Sequence, residues 1–165
     1  MAETEFSDNE LRKILSSLKT IVMVGVSLSE IRPSYFVAKY FSLRGITVIP
    51  VNPAYANETL WGQKVYSNIE EIPKSFEIDM VNIFRRSEEA PAVVSDAVRY
   101  LFGQGLKLVW LQVGVISKEA TIIAQNAGLP IVMNKCPKIE HQRLFGDLRK
   151  AGFNTGIISS KLPSL

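Results

Sequence analysis

Short apolar runs alternate with longer amphipathic stretches along this chain. The runs are rich in β-branched residues and do not alternate with polar positions, a pattern typical of parallel strands buried on both faces. Between them, apolar residues recur at helical spacing, and glycines follow where the helices should end. The pattern predicts strands at 20–26, 46–51, 79–84, 106–112 and 130–134. It predicts helices at 8–19, 34–43, 90–102 and 118–126.

The regular succession of strand, helix and strand predicts the fold class. We expect an α/β fold, a Rossmann-like, doubly wound parallel five-stranded sheet flanked by helices. The chain has 165 residues, which fits one domain of ordinary size. Within this single domain, residues 1–19 form a leading helical segment and residues 146–165 form a C-terminal extension. The stretch 57–73 is interpreted as a connector with one short helix at 69–72.

Composition narrows the functional classes. Apolar residues make up 47% of the chain and charged residues 21%, a globular balance. The net charge is +3, and the basic residues are scattered, whereas nucleic-acid binders usually concentrate them on one face. No apolar stretch approaches the roughly 20 residues needed to cross a bilayer, and the acidic N-terminus lacks the pattern of a targeting signal. We therefore expect a cytoplasmic domain that binds neither nucleic acid nor a membrane, and whose charge favours a small anionic ligand.

The turn after the first predicted strand carries candidate binding chemistry. Ligands of open parallel sheets bind beyond the carboxyl ends of the strands, where this turn lies. It reads Gly25-Val26-Ser27-Leu28-Ser29-Glu30-Ile31-Arg32-Pro33-Ser34. Gly25 permits close backbone approach, Arg32 supplies a positive charge, and Pro33 suits the first position of a helix whose free N–H groups point back at the turn. These features predict a phosphate cradle, although similar turns also occur in α/β proteins that bind nothing there.

The sequence motifs that are absent limit which nucleotides the turn could bind. The dinucleotide fingerprint G-x-G-x-x-G is represented only by its first glycine, Gly25. NAD-binding domains also place an acidic residue about 20 residues further on, to bind the ribose 2′-hydroxyl. The second predicted strand ends instead in Asn52-Pro53. No P-loop motif G-x-x-x-x-G-K-[ST] occurs, so NAD is disfavoured and ATP hydrolysis more so.

Several segments in the right order carry a family resemblance. They are VGVS and RPSY around the first turn, VIPVNP, FRRS, WLQVG and CPKIE, and they span roughly residues 15–145. On these motifs the chain resembles the small CoA-binding domain family, which is similar to the N-terminal domain of the succinyl-CoA synthetase α subunit. Smaller members of that family end near Leu144, so the C-terminal extension departs from the pattern. The extension is expected to cover an edge, to mediate dimer contacts or to stay mobile.

The resemblance implies a site for coenzyme A or an acyl-CoA along the tips of the first four strands. The turn after strand 1 would hold the pyrophosphate, and the end of strand 2 would border the adenosine. The end of strand 3 would flank the nucleotide, and the end of strand 4 would line the path towards the pantetheine arm. In that order, the implied residues are Gly25, Val26, Ser27, Arg32, Pro33 and Ser34; Asn52 and Pro53; Phe84, Arg85 and Arg86; and Gln112 and Gly114.

The chain offers few candidates for catalysis. In the synthetase the phosphohistidine lies outside this domain, so the resemblance implies binding without catalysis. Cys136 and His141 lie five residues apart, with Lys138 between them, and are the only candidates for a nucleophile and its base. Cys136 could instead form a mixed disulfide with CoA, or both residues could be structural. With one cysteine and one histidine, the sequence predicts neither a disulfide within the chain nor a metal site.

Three functional hypotheses follow. The first is a CoA-binding module that acts as a carrier, a sensor or a subunit of a larger acyl-CoA system. Such a module could form a homodimer or bind a partner in that system. The second is an NAD(P)-dependent oxidoreductase that dispenses with the later glycines and the acidic residue. The third is a Cys136-dependent thiol enzyme acting on CoA thiols or disulfides. The sequence favours the first because it lacks the NAD fingerprint and a group that would orient His141.

Overall fold

The computed structural model describes residues 6–146, so most of the predicted C-terminal extension lies outside the described residues. The helices are α1 (Asp8–Ser16), α2 (Pro33–Leu43), α3 (Ala90–Leu101), α4 (Lys118–Asn126) and α5 (Pro137–Phe145). The strands are β1 (Thr20–Val24), β2 (Thr47–Val51), β3 (Thr59–Leu60), β4 (Gln63–Lys64), β5 (Met80–Ile83), β6 (Leu108–Leu111) and β7 (Ile131–Val132). Short 3₁₀ turns lie at Pro53–Tyr55, Ile69–Glu71 and Phe102–Gln104.

Five strands form one parallel sheet in the order β2-β1-β5-β6-β7. The predicted Rossmann-like α/β class is therefore confirmed. The chain runs from β1 outward to β2 and then returns to place β5 on the other side of β1. This reversal makes the β1–β5 boundary the topological switch point, where ligands of doubly wound sheets bind.

Alternation along the strands divides the apolar core into two layers. Val22 and Val24 of β1 pack in the layer beneath α3 and α4, whereas Ile21 and Met23 pack in the layer beneath α1, α2 and α5. Strand residues on both faces are buried, which explains why the sequence showed continuous apolar runs.

One ion pair, between Arg143 and Asp8, joins α5 to α1. Arg143 donates two hydrogen bonds of 2.9 Å to the carboxylate of Asp8 and one of 2.6 Å to Glu140. The hydrogen bonds from Arg143 hold the pKa of Asp8 below its usual range. At the start of α1, Ser7 and Glu10 form a reciprocal capping box, which fixes where the helix begins.

The connector differs from its prediction. Its short helix is present as the turn at Ile69–Glu71, but β3 and β4 also form a small antiparallel hairpin. Trp61 and Gly62 occupy its two-residue turn with φ of 50° and 80°, the conformation that tight hairpins require. The Trp61 ring lies 5.4 Å from the ring of Tyr35 on α2, so the hairpin covers the start of that helix.

Helix α5 was not predicted. Most of its residues are polar or charged, and its buried side chains are Pro137, Gln142 and Leu144. The stripe that would mark an amphipathic helix is therefore weak, and only contacts with α1 and α2 reveal its packed face. The predicted leading helix is also shorter than expected, since α1 ends at Ser16.

Candidate functional site

Gly25 immediately follows β1 and lies against the segment that follows β5, at the switch point. Its φ is 88°, a conformation that residues with a Cβ rarely adopt. A Cβ placed on Gly25 would lie 2.1 Å from the carbonyl oxygen of Phe84, which immediately follows β5. The Gly25 N–H also donates to the carbonyl of Val51 at 2.8 Å. Glycine is therefore required here, and it brings the ends of β2, β1 and β5 together.

Hydroxyl groups shape the turn that follows. The Ser34 Oγ accepts a hydrogen bond of 2.9 Å from the Ser27 N–H, and the Ser27 Oγ accepts one of 3.0 Å from the Ser29 N–H. The Tyr55 hydroxyl lies 3.4 Å from the Ser27 Oγ. The serines thus stabilise the loop itself, and Tyr55 is a neighbour of the turn that the sequence did not single out.

Helix α2 begins at this turn without a side-chain cap. Arg32 occupies the cap position and Pro33 the first helical position, and no side chain accepts from the first N–H groups. An uncapped helix N-terminus carries a partial positive charge and favours an anion. Arg32 is exposed, and its guanidinium makes no hydrogen bond or ion pair within residues 6–146. Donors and a cation therefore meet at this end of α2.

Asn52, at the end of β2, makes two hydrogen bonds within the protein. It is buried, its Nδ2 donates to the Val26 carbonyl at 2.9 Å, and its Oδ1 accepts from the Ala54 N–H at 3.0 Å. Both side-chain atoms are therefore used in holding the β1 and β2 loops together. Pro53 is exposed beside it, and contact of either residue with adenosine stays a prediction.

The segment after β5 places two arginines in different environments. Arg85 is half-buried, and its Cδ lies 3.4 Å from the Cβ position at Gly25. Like Arg32, it has no polar partner for its guanidinium in the described part of the chain. Arg86 is exposed and its Nε lies 3.5 Å from Glu89, whose pKa is lowered chiefly by that contact. Arg85 is thus the better placed of the pair for an anion at the switch point.

The loops after β5, β6 and β7 are linked to one another. The Ser87 Oγ accepts from the Ile116 N–H at 3.0 Å and lies 3.4 Å from the Gly114 carbonyl. The Gly114 N–H donates to the Asn134 Oδ1 at 2.8 Å. Sequence reasoning had assigned no role to Ser87 or Asn134. Gln112, just after β6, is buried, and its Oε1 has no partner in residues 6–146.

Cys136 and His141 are not brought together. Cys136 is buried at the start of α5. His141 instead packs its ring against neighbouring aromatic rings, and its Nδ1 lies 2.8 Å from the Tyr40 hydroxyl. Burial lowers the pKa of Lys138, with the charge of Cys136 opposing this effect and that of Arg44 adding to it. No hydrogen bond joins Cys136 to His141 within residues 6–146.

A hollow of about 390 Å³ lies elsewhere, beside the outer edge of β7. Its lining is largely apolar, with Lys135 as its one cation, and none of the residues predicted for the site contributes to it. The lining residues are Phe6, Ile116, Thr121, Gln125, Pro130, Ile131, Val132, Met133, Asn134 and Lys135. An anionic nucleotide is better matched by the switch point than by this hollow.

Residues 6–146 contain neither a metal-binding cluster nor a membrane-spanning helix. No group of three or more His, Cys, Asp and Glu side chains within residues 6–146 is arranged to hold a metal ion. No helix in the same range is long and apolar enough to span a membrane.

An open α/β sheet that gathers an uncapped helix N-terminus and unpaired guanidinium groups at its switch point has the architecture of a Rossmann-like nucleotide-binding domain. Comparison with known families makes this class more specific. Residues 19–142 match the family described as the CoA binding domain. The chain belongs to this CoA-binding domain family.

The chain is also similar to individual proteins. The chain is 35% identical to the uncharacterized protein YneT of Bacillus subtilis, over 82% of this chain and 94% of that protein. It is similar to the structure of a hypothetical protein from Pyrococcus horikoshii, with 37% identity, a TM-score of 0.77, and coverage of 88% of this chain and 100% of the other. A structure from Thermus thermophilus shows 32% identity and a TM-score of 0.74, with coverage of 85% and 100%.

Proposed function

We propose that this chain binds coenzyme A or an acyl-CoA at the carboxyl edge of its sheet, with the pyrophosphate at the β1–β5 switch point. One observation carries the proposal: at Gly25 the backbone of β1 meets the backbone after β5, and the unpaired Arg32 and Arg85 lie on the segments that flank this contact. Family membership supports the identity of the ligand.

The electrostatics of the turn fit a pyrophosphate. Phosphate oxygens accept hydrogen bonds only, so they need N–H donors and cations. The N-terminus of α2 offers such donors, and Arg32 adds a permanent charge next to them. Arg86 already has a carboxylate neighbour in Glu89, so we assign the main contact after β5 to Arg85.

The end of β2 argues against the oxidoreductase hypothesis. An NAD-binding domain uses a carboxylate there to bind the ribose 2′-hydroxyl. In this chain the position is held by Asn52, whose amide already bonds the Val26 carbonyl and the Ala54 N–H. An NAD ribose would therefore find no carboxylate at this position, and the Asn52 Oδ1 already accepts from the Ala54 N–H.

We further propose that the domain binds its ligand without turning it over, as a carrier, sensor or subunit of an acyl-CoA system. The thiol-enzyme hypothesis needs a base beside Cys136. The ring of His141 is instead engaged with Tyr40, Phe41 and Phe145. The need for a base beside Cys136 and the engagement of His141 elsewhere together favour binding over catalysis.

A ligand panel tests the proposal. The purified protein is heated with CoA, acetyl-CoA, NAD, NADP or ATP, and its unfolding temperature is measured. A ligand that binds the folded state raises that temperature, so CoA or acetyl-CoA should give the largest increase. An increase with NAD and none with CoA would overturn the proposed function.

Charge-removing variants locate the site. Arg85→Ala and Arg32→Ala should each weaken CoA binding about ten-fold, because each removes a charge-assisted contact with the pyrophosphate. Arg99→Ala is the matched control, since Arg99 is exposed in the last turn of α3, at the opposite edge of the sheet. Calorimetric titration measures the three affinities, and equal losses in all three variants would remove Arg32 and Arg85 from the site.

A further inference from the structure

The outer edge of β7 is unpaired in the described part of the chain. β7 is the last strand of the parallel sheet, and no strand within residues 6–146 pairs with its outer side. On its inner side, the Val109 N–H donates to the Pro130 carbonyl at 3.0 Å, and Val109 stands opposite Ile131 in register. In a parallel ladder this places the N–H and the carbonyl of Ile131 on the outer side. Such an edge is a template for a further strand, and proteins usually cover it.

The hollow of about 390 Å³ lies where a further strand would stand. Thr121 and Gln125 line it from α4, which packs on one face of the sheet. Phe6, which precedes α1, lines it from the layer on the opposite face. Ile131 and Val132 line it from β7 itself, between these two layers. The hollow therefore continues the plane of the sheet between its two helical layers, which is the position of a sixth strand.

The end of α5 brings the C-terminal extension close to this hollow. Arg143, in the last turn of α5, donates two hydrogen bonds of 2.9 Å to Asp8. Asp8 lies two residues after Phe6, which lines the hollow. The family match covers residues 19–142, so Phe6 and the extension both lie outside it. Two segments that are additional to the family domain are therefore neighbours at the same edge of the sheet.

The sequence of the extension suits an edge strand. Residues 155–160 read TGIISS, in which Thr155, Ile157 and Ile158 are β-branched and favour extended structure. Neighbouring residues of a strand point to opposite faces, so Ile157 and Ile158 would each meet one of the two layers beside the hollow. Pro163 then follows, a residue that limits how far a strand continues. Residues 147–154 would span roughly 25 Å when extended, which is enough to run the length of β7.

The handedness of the connections determines the direction of such a strand. Helices α3 and α4 lead from β5 towards β7 and pack on one face, whereas α2 leads from β1 to β2 in the other direction and packs on the opposite face. Both arrangements are the right-handed crossover that parallel sheets require. Helix α5 packs on the face of α2, so a parallel strand beyond β7 would make a left-handed crossover. An antiparallel strand is not subject to this rule, and doubly wound sheets often carry one at an edge.

We propose that residues 155–160 of the extension add to the outer edge of β7 as an antiparallel sixth strand and fill the hollow. The inference goes beyond CoA binding and does not depend on it. Of the roles expected for the extension from sequence, it selects the covering of an edge and names that edge. The apolar side chains of Ile157 and Ile158 match the apolar lining, and the ladder would use the free N–H and carbonyl of Ile131.

Amide hydrogen exchange of the unliganded, full-length protein tests the proposal. The Ile131 N–H should exchange about a hundred-fold or more slowly than in an unfolded chain, because it donates to the extension. Nuclear Overhauser contacts between the backbone protons of Ile131 and those of residues 155–160 should show the antiparallel pattern. An Ile131 amide that exchanges as fast as in an unfolded chain would overturn the inference.

Two double variants of the extension identify what protects Ile131. Ile157→Asp combined with Ile158→Asp should speed exchange at Ile131 about ten-fold or more, because carboxylates are unfavourable in an apolar hollow. Leu162→Asp combined with Leu165→Asp is the matched control, since it makes the same change of charge outside the proposed strand and should leave the rate unchanged. Equal rates in the wild-type chain and both variants would show that the extension does not cover this edge, and would overturn the inference.

A mixed sample distinguishes one chain from two. Isotopically labelled and unlabelled protein are combined, unfolded and refolded together, and contacts within a chain are separated from contacts between chains. The contacts between β7 and residues 155–160 should arise within one chain. Contacts found only between chains would mean that a second copy fills the hollow, and this result would overturn the inference as stated.

Discussion

The position of Gly25 shows how one residue fixes the geometry of the proposed site. Its positive φ turns the chain away from β1, and its missing side chain lets the Phe84 carbonyl approach. Gly45, after α2, has a similar φ of 78° but no atom within 4 Å of its Cβ position. These two glycines therefore separate the cost of an unusual φ from the cost of a steric clash.

We expect Gly45→Ala to lower the free energy of unfolding by about 1 kcal/mol, the cost of a left-handed alanine. Gly25→Ala should cost about 2 kcal/mol more, because its methyl group also displaces the segment after β5. Urea denaturation of both variants measures the difference. Equal losses would mean that the β1–β5 contact adjusts without cost and that Gly25 is not required by packing.

Sequence reasoning at the residue scale identified the exposed and charged groups better than the buried ones. Motif and resemblance single out Gly25, Arg32 and Arg85; the structure places Gly25 beside Arg85 and places Arg32 at the start of α2, and their roles in binding stay predictions. Asn82, a fully buried residue of β5 whose side-chain amide has no partner within residues 6–146, was overlooked because it stands within an apolar run. Whether a buried amide has a partner depends on the neighbouring strands, which local sequence does not specify.

At the scale of elements, α1 and α5 are joined by an ion pair whose strength depends on pH. Because Arg143 holds the pKa of Asp8 below its usual range, the charged carboxylate is favoured in the folded state. A lowered carboxyl pKa stabilises the fold at neutral pH, and this contribution is lost as the pH falls through the folded-state pKa. Both side chains are partly exposed, so the contribution is small.

We therefore expect Asp8→Asn to be less stable than the wild-type chain at pH 7, with the difference vanishing as the pH falls through the lowered folded-state pKa of Asp8. Asp96→Asn is the matched control, since Asp96 is exposed on α3 and has no ion-pair partner among residues 6–146. Thermal unfolding across the pH range measures both variants. A difference that persists in acid would assign the effect of Asp8 to helix capping or packing instead.

The regular elements were largely predictable, and the exceptions have physical causes. The five parallel strands and four of the five described helices follow from apolar patterning, because each packs against the core with most of its length. The strands β3 and β4 span two residues each, too short for a period to show. Helix α5 buries Gln142 among its few inward residues, so its pattern resembled a loop.

At the scale of the whole molecule, positive charge and strand order both favour an anionic ligand at the carboxyl edge of the sheet. The net charge is +3, and the proposed site carries Arg32 and Arg85, which have no neutralising partner within residues 6–146. The switch point alone would accommodate many nucleotides, since it is a property of the strand order. Under the proposed function, the two arginines would favour nucleotides with several phosphates, and CoA is such a ligand.

We expect the affinity for CoA to fall as ionic strength rises, because salt screens the attraction between exposed guanidinium groups and phosphates. In Arg85→Ala the fall should be less steep, since one charge no longer contributes. Calorimetric titrations at several salt concentrations give both slopes. Identical slopes in the two proteins would show that Arg85 does not contact the ligand's phosphates.

Gly25, at the switch point, also limits which sequence changes related chains can tolerate. A position that admits no side chain offers selection nothing to vary, so ligand preference cannot be changed at Gly25 itself. Under the proposed function, a changed ligand preference is expected to come from flanking positions such as Ile31, which is 84% exposed. Sequence variation that changes the bound ligand is therefore expected at positions around the turn and not at Gly25.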